Sequence, residues 1–449
     1  MGHDALPCAY GKLLYHCRGQ KVKHYFVNLR VFAGAVRLPC VFMPMNWIIV
    51  ALMTFSTALA LLLLCREGLL RTQAAWLLSS LLILLAMGLR LLAFDYETLD
   101  YQNFLSRWAA FYRQNGGFAA MKYPVGNYNI PYLYFLALFS YIPAKDLYLI
   151  KWLSVSFDVL LAWASTRLTG RFTQSVGRRL ACFFAVLFLP TVYFNSAVWS
   201  QCDSIYVALL ILGIELALSD RPKSSMICAA LAFGFKLQAV FVLPVYAVLW
   251  FKGKFRWTDF LLFPLSYVLL VLPAVLLGRP FLDTVTLYAS QTGSIGAGLN
   301  YNSPSVFAIF WNVRDPATAS VIAIVAAFVF LFNMLGIAWI NRSRLSDQAV
   351  LGMALMFAIG IPFLLPHMHE RYFYAADILA LVLAFSLPGY LLAAPLVQFA
   401  SLLGYHAYLK MRYLLPMRYG SAALILAFAL ALICYLSGTH SQKSRKKRT

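Results

Sequence analysis

Residues 45–65 read MNWIIVALMTFSTALALLLLC, and this run contains no charged side chain. A helix needs about 20 apolar residues to cross the hydrocarbon core of a bilayer. Similar runs recur along the 449-residue chain, which is 62% hydrophobic and only 12% charged. A soluble protein carries roughly twice that charged share. The sequence therefore predicts an all-α fold, a polytopic bundle of transmembrane helices.

The apolar runs predict about 11 to 14 crossings, because the stretches at 224–251 and 372–405 can be divided in more than one way. A basic arm at 1–44 precedes the membrane domain at 45–437, and a basic tail follows at 438–449. The predicted crossings lie at 45–65, 74–94, 147–167, 178–198, 203–219, 224–236, 237–251, 258–277, 317–341, 348–365, 372–390, 391–405 and 420–437.

Short loops rich in Lys and Arg, such as Arg167–Arg179 and Lys252–Arg256, mark the cytoplasmic side. These loops and the tail account for most of the net charge of +21, so the charge does not indicate a nucleic-acid partner. Alternation of the crossings then places the connections 199–203, 279–316 and 366–372 on the outer side. The loop 95–146 is predicted to lie outside as well, although the charge of the basic arm alone would place the arm and this loop inside.

The loop 95–146 opens with a carboxylate ahead of an aromatic pattern. Tyr101, Phe104 and Trp108 follow Asp100 at helical spacing, which predicts an amphipathic helix in the membrane interface. Asp100 at the start of this helix is either a helix cap or a general base held at the membrane surface. Asp95, five residues earlier, is the alternative base.

The loop 366–372 reads PHMHERY and places two histidines, a carboxylate and a guanidinium within five residues. Such a cluster beside hydrocarbon indicates a functional site, which is a metal site, a proton relay or a phosphate-binding site. His367 and His369 would point to different helix faces and no third ligand is evident, so no metal site is predicted. Arg371 offers a planar fork for phosphate and the histidines add donors, which favours phosphate binding.

Two lysines fall inside predicted crossings. Lys236 interrupts an apolar stretch of nearly 30 residues, where it must snorkel, pair or meet a phosphate group. Lys151 and Asp158 are seven residues apart on one helix face, and we expect them to pair inside the bundle.

The combination of Asp100-Tyr101-x-x-Phe104-x-x-x-Trp108 with His367-Met368-His369-Glu370-Arg371 resembles the GT-C superfamily of membrane glycosyltransferases. The resemblance is to the bacterial subgroup similar to transferases that use dolichyl-phosphate mannose or glucose, and it spans roughly residues 74–390. Lys122-Tyr123-Pro124, Trp199–Ser204 and Phe235–Gln238 resemble further blocks of that subgroup. The arm and first crossing at 1–65 depart from the simplest family pattern.

The resemblance implies a polyprenyl-phosphate sugar as donor of mannose or glucose, transferred with inversion to an acceptor hydroxyl outside the cytoplasm. The sequence also lacks a nucleotide-binding motif. In the implied mechanism Asp100 is the general base, and His369, Arg371, Lys236 and His367 bind the donor phosphate. The implied substrate contacts are Asp203, Gln201, Tyr123 and Glu370.

The acceptor is a glycolipid, a polysaccharide or a protein, and the resemblance favours a bacterial inner membrane. No cofactor is predicted, and a requirement for a divalent cation stays open. The alternative function is a flippase or transporter of lipid-linked sugars, which would be expected to show paired inverted halves. No such internal symmetry is evident in this sequence.

Overall fold

The computed structural model describes residues 46–291, 298–310 and 312–446. The basic arm at 1–44 lies outside these residues. The described residues fold as a bundle of helices with one pair of two-residue strands, which confirms the predicted all-α polytopic class.

The α-helices differ widely in length, from single turns to helices of more than 20 residues. They are α1 (Trp47–Arg66), α2 (Gln73–Leu92), α3 (Ser106–Gln114), α4 (Ile130–Phe139), α5 (Asp146–Gly170), α6 (Val176–Leu187), α7 (Pro190–Tyr193), α8 (Asp203–Leu218), α9 (Pro222–Phe235), α10 (Val245–Phe251), α11 (Leu262–Leu276), α12 (Phe281–Val285), α13 (Leu287–Gln291), α14 (Val306–Ile309), α15 (Pro316–Ile340), α16 (Asp347–Leu364), α17 (Tyr374–Ser386), α18 (Ala393–Leu409) and α19 (Arg418–Lys446).

Shorter elements join these helices. Strands β1 (Asn300–Tyr301) and β2 (Met368–His369) pair in parallel. Two π-helices lie at Tyr101–Leu105 and Phe194–Val198. Segments of 3-10 helix lie at Gly117–Lys122, Leu237–Phe241, Trp257–Leu261, Arg342–Arg344 and Pro388–Tyr390.

Seven helical segments of the described residues are long and apolar enough to cross a membrane, or eight if the bent pair 176–187 and 190–198 counts as one span. The two parts of that pair meet at 43° where Pro190 begins α7. The other predicted crossings, at 203–219, 224–236, 237–251, 372–390 and 391–405, consist of shorter helices. The count of 11 to 14 therefore stays a prediction.

Burial separates helices of the core from helices that face lipid. Only 22% of the apolar window of α15 is buried inside the bundle, whereas 78% of α16 and 72% of α5 are buried. An apolar helix exposed on most of its surface suits contact with hydrocarbon. Helix α5 packs against α8, α6 and α1 and so lies at the centre of the bundle.

One end of the bundle is held by ion pairs between the predicted cytoplasmic loops, and we call it the basic end. Arg167 lies 3.1 Å from Glu215, and Arg179 lies 2.8 Å from Glu67. Asp347 pairs with both Arg171 and Lys252 at 3.3 Å. Because one network ties these loops together, they share one side of the membrane.

The loops 95–146 and 366–372 meet at the opposite end, which we call the site end. Asp100 Oδ2 lies 3.8 Å from Arg371 Nη1, so the two loops share a compartment. The topology conflict in the sequence is thereby resolved in favour of placing the loop 95–146 with the loop 366–372. Residue 46 lies at this end too, because Leu52 in α1 accepts a hydrogen bond from Trp152 near the start of α5.

The expected pair of Lys151 and Asp158 is wrong. Asp158 Oδ2 instead lies 2.9 Å from Arg90 Nη2, while Lys151 Nζ donates to backbone carbonyl groups. The two residues share a helix face, but the neighbouring segments supply a partner for each.

Candidate active site

Asp100 lies in the first turn of a helix but does not cap it. Its backbone is helical (φ −63°, ψ −42°), and its side chain makes no capping hydrogen bond. Thr98 Oγ1 accepts from the Tyr101 N–H at 3.4 Å instead. The cap interpretation of Asp100 is therefore wrong, and the carboxylate faces the loops beside it.

The predicted interfacial helix is present as the π-helix Tyr101–Leu105 continued by α3. Tyr101, Leu105 and Tyr112 form its buried side, at the helical spacing expected from the sequence. Single π turns occur frequently at functional sites because they rotate the side chains on one side of the turn relative to the other. This turn begins directly after Asp100.

Asp100 accepts hydrogen bonds from a second segment of the chain. Trp199 Nε1 and Gln201 Nε2 donate to Asp100 Oδ2 at 2.8 and 3.1 Å. Trp199 is fully buried and follows the second π-helix, Phe194–Val198. Both π-helices of the described residues therefore adjoin the same carboxylate.

Asp203 is a second carboxylate at the site end. It begins α8 without capping it, and its oxygens contact Lys236 Nζ at 2.5 Å and Asn195 Nδ2 at 2.7 Å. Lys236 lies at the predicted break, where α9 ends and the chain becomes extended (φ −154°, ψ 131°). Lys236 therefore pairs inside the bundle and does not snorkel. Its Nζ also lies 3.4 Å from Gln201 Oε1.

Arg371 connects the carboxylates. Its guanidinium lies 3.8 Å from Asp100, 3.9 Å from Asp203 and 3.4 Å from Glu370, and it stacks 5.3 Å from the ring centre of Trp199. These contacts are longer than those of a bidentate guanidinium–carboxylate pair, which are about 2.7 to 2.9 Å. The buried Nε has no hydrogen-bond partner among the described residues. Charge therefore holds the Arg371 guanidinium near the carboxylates. Its Nε–H group remains able to donate a hydrogen bond to a ligand.

Burial sets the protonation of the two residues before Arg371. Desolvation raises the pKa of the Glu370 carboxyl to about 7, although the charge of Arg371 opposes the shift. Desolvation and then the Arg371 charge hold the pKa of the His369 imidazole well below its usual range. His369 is therefore neutral, and it stacks on Tyr301 with 4.7 Å between ring centres.

The structure places three predicted site residues away from the carboxylates, as far as the described contacts go. His367 Nδ1 lies 2.8 Å from Gly298 O, and its Nε2 lies 3.3 Å from Ser320 Oγ. Tyr123 is half exposed and packs against Phe111. Asp95 accepts a hydrogen bond from Tyr148 OH. Their predicted roles stay predictions.

Helix α18 adds residues that sequence reasoning missed. Tyr408 stacks on Trp199 with 4.0 Å between ring centres, and its hydroxyl accepts from the Asp100 backbone N–H at 3.2 Å. Tyr405 OH accepts from Asn195 Nδ2 at 3.0 Å. Two tyrosines near the end of an apolar run are typical of an interfacial belt, so the sequence offered no signal that distinguished them.

A cavity of about 820 Å³ lies beside the strand pair. The pair brings Tyr301 alongside His369, and Asn300 and Asn302 line the cavity on the same short segment. Most of the remaining wall is apolar and comes from α14, the starts of α15 and α19 and the loop before α19. Its members include Phe307, Phe310, Leu414, Leu415, Pro416 and Arg418.

No three His, Cys, Asp or Glu side chains of the described residues are arranged to hold a metal ion. The carboxylates at the site end contact Lys, Arg, Trp and amide donors instead. The site is therefore a network of paired charges at one end of a membrane bundle.

Part of the chain matches a known protein family. Residues 140–252 match the family described as alpha-(1→6)-mannopyranosyltransferase, N-terminal domain, of the MptA/B group. The matched region is about a quarter of the chain, and it includes Trp199, Gln201, Asp203 and Lys236. No curated protein matches the chain. The match and the membrane helices together support a membrane mannosyltransferase.

Proposed function

We propose that this protein transfers mannose from a polyprenyl-phosphate sugar to an acceptor hydroxyl, with inversion at the anomeric carbon. The observation that carries the proposal is the approach of Asp100 to Arg371, 3.8 Å apart at the site end of the bundle. A base and a phosphate-binding cation at one point are the two groups that such a displacement needs. The family match favours mannose over glucose.

Asp100 acts as the general base in this proposal. The hydrogen bonds from Trp199 and Gln201 fix the orientation of the carboxylate. The carboxylate takes the proton from the acceptor hydroxyl as the hydroxyl oxygen bonds to the anomeric carbon. The bond from that carbon to the phosphate oxygen breaks, and the lipid phosphate leaves with the electron pair.

Arg371 and Lys236 stabilise the leaving phosphate. Lys236 is buried and the Arg371 side chain is only 13% exposed, and fixed cations in a water-poor site stabilise developing negative charge. The unpartnered Nε of Arg371 supports a phosphate oxygen as its ligand. Neutral His369 serves as a hydrogen-bond donor, and His367 supports the loop on which His369 lies.

The remaining candidates surround these groups. Gln201 contacts both Asp100 and Lys236, and Asp203 contacts Lys236, so we propose both as contacts of the sugar. Glu370 adjoins Arg371 and is our further candidate from the loop 366–372. Tyr123 stays a candidate on the resemblance of Lys122-Tyr123-Pro124 alone.

The donor is proposed to be lipid-linked because the cavity beside the site is largely apolar and lies where α15 and α19 begin. An isoprenoid chain suits such a wall, because apolar side chains can pack against it without burying unpaired polar groups. The ion pairs of the basic end support a cytoplasmic location for that end and an outward-facing site. We propose a bacterial inner membrane and a membrane domain at 45–437 between a basic arm and tail.

The test is hexose transfer by the full chain in lipid nanodiscs, supplied with mannosyl-phosphate or glucosyl-phosphate polyprenol and an acceptor extract. Asp100→Asn is expected to lower the rate by about 10² to 10⁴-fold, the usual contribution of a general base. The control is Asp95→Asn, which makes the same chemical change five residues away and should retain most activity, because Asp95 contacts Tyr148.

Two results would contradict the proposal. Loss of transfer in Asp95→Asn but not in Asp100→Asn would assign the base to Asp95. Transfer from a nucleotide sugar in the absence of any lipid-linked sugar would overturn the donor class.

A further inference from the structure

Helix α5 carries two fully buried charged side chains, Lys151 and Asp158, two helical turns apart. Charged side chains inside a membrane bundle are costly to bury, and those that occur have specific partners. The described partners of these two residues belong to the two segments that build the candidate site.

Lys151 holds the segment that leads to Asp100. Its Nζ donates to Ala93 O at 2.7 Å, Phe94 O at 3.1 Å and Tyr96 O at 2.6 Å. A lysine ammonium has three N–H donors, and all three are used. These carbonyls belong to the turn that follows the end of α2 at Leu92. The turn before Asp100 is therefore fixed to α5.

Asp158 holds the segment that leads to Trp199. Its Oδ2 accepts from Ser196 Oγ at 2.6 Å, within the π-helix Phe194–Val198. The same oxygen accepts from Arg90 Nε at 3.0 Å and Nη2 at 2.9 Å. Arg90 Nη2 also donates to Leu187 O at 2.8 Å, the last residue of α6 before the 43° bend. The bend and the π-helix are thus fixed to α5 as well.

We propose that Lys151 and the Arg90–Asp158 pair are positioning residues that set the Asp100 turn and the Trp199–Gln201 segment relative to each other. Asp100 comes from the first segment, and its donors Trp199 and Gln201 come from the second. Neither segment can keep these hydrogen bonds if the other shifts. Because α5 is hydrogen-bonded to both segments, it fixes the position of Asp100 relative to its donors Trp199 and Gln201.

The test compares matched variants of the full chain in nanodiscs. Lys151→Met removes the ammonium but keeps an unbranched side chain, and Ser196→Ala removes the bond from the π-helix to Asp158. Arg167→Met is the control for the first, since it removes a charge at the other end of α5. Ser56→Ala is the control for the second, since Ser56 bonds Ser156 between α1 and α5.

The first readout is hydrogen exchange of backbone amides. Lys151→Met should accelerate exchange in residues 93–101, and Ser196→Ala should accelerate it in residues 194–203, with the other helices unchanged. Both controls should leave the two segments as in the wild type. Unchanged exchange in both segments, or equal acceleration throughout the bundle, overturns the inference. If Lys151→Met does not fold, Ser196→Ala decides the same question.

The second readout is the kinetics of hexose transfer, kcat and KM. It rests on the proposed function and separates a positioning effect from a general loss of stability. Misplacement of reacting groups by about 1 Å can cost on the order of 10²-fold, so kcat should fall by up to that factor. The KM for the lipid-linked donor should change less than about two-fold, because Arg371 and Lys236 are not touched. Local exchange that rises while kcat stays at the wild-type value overturns the inference.

The two failures are distinguishable. If the wild type transfers no hexose from a lipid-linked donor, the proposed function fails, while hydrogen exchange still decides whether α5 positions the two segments.

Discussion

Asp100 and Glu370 show how burial gives two carboxyl groups of one site different properties. Asp100 is partly accessible, accepts two hydrogen bonds from neutral donors and lies 3.8 Å from a cation. Glu370 is almost fully buried, and its closest described cation contact is 3.4 Å from Arg371 Nη1. Its burial favours the neutral form.

The raised pKa of Glu370, about 7 instead of 4.5, predicts a loss of stability with rising pH. The unfolded chain releases this proton near pH 4.5 and the folded protein near pH 7, so stability falls between these values and then levels off. The loss amounts to roughly 3 kcal/mol if the whole shift is expressed. Glu370→Gln should remove this decline in the thermal unfolding midpoint between pH 5 and pH 7.5.

Glu97→Gln is the matched control for this prediction. The Lys145 hydrogen bond lowers the pKa of Glu97, so Glu97 is ionised in both states across this range and adds no slope. A decline that persists unchanged in Glu370→Gln would show that Glu370 does not titrate in this range.

At the scale of elements, irregular segments bring the site together. A π turn follows Asp100, another precedes Trp199, and α9 breaks at Lys236. The two-residue strands β1 and β2 join the loop 298–310 to the loop 366–372. Each irregular segment directs a polar side chain that a continuous helix would direct to another face. Helix α18 packs over these segments. Its Tyr408 contacts the Asp100 backbone and its Tyr405 contacts Asn195.

The close approach of α18 depends on Gly404. A Cβ atom there would lie 2.8 Å from Glu370 Cβ and 2.9 Å from Asn302 O, which is closer than such atoms pack. Gly404→Ala should therefore displace α18, reduce hexose transfer and lower the thermal unfolding midpoint. Gly336→Ala is the control, because a Cβ in α15 meets nothing within 4 Å. Alanine stabilises a helix by about 1 kcal/mol relative to glycine.

The Gly404→Ala and Gly336→Ala variants are compared in the same type of nanodisc, by thermal unfolding and by hexose-transfer assays. If Gly404→Ala behaves like Gly336→Ala in both, α18 does not need this contact to cover the site.

At the scale of the whole molecule, the chain separates its charges between two ends. The basic end holds Arg167, Arg171 and Arg179 in ion pairs, and the site end holds Asp100 and Arg371. Because α5 runs between these ends, from Asp146 to Gly170, a labelling experiment at the two ends reports the orientation of the whole bundle.

Single cysteines at Asn115 and Arg178, introduced into a cysteine-free background, test this orientation. Both positions are exposed, and they belong to the site end and the basic end, respectively. An impermeant thiol reagent on intact cells should label the cysteine at 115 and leave the one at 178 unlabelled until the cells are opened. The opposite pattern would place the site in the cytoplasm and remove the main support for a lipid-linked donor.

The sequence by itself determined the membrane class and the position of most long crossings, since both depend on local hydropathy. It also identified the two loops that meet at the site, because polar clusters beside hydrocarbon are costly wherever they occur. The break at Lys236 was also predicted from the sequence, whereas the crossing predicted at 178–198 ran through Pro190, where the helix bends by 43°.

Only the tertiary structure decided which groups each charged side chain contacts. Asp100 was as consistent with a helix cap as with a site carboxylate, and Lys151 was expected to pair with Asp158 rather than with carbonyls after α2. Tyr408 lies more than 300 residues from the amide that it contacts. The direction of a side chain depends on the turns that precede it and on the partners that packing supplies, and neither is encoded in local composition.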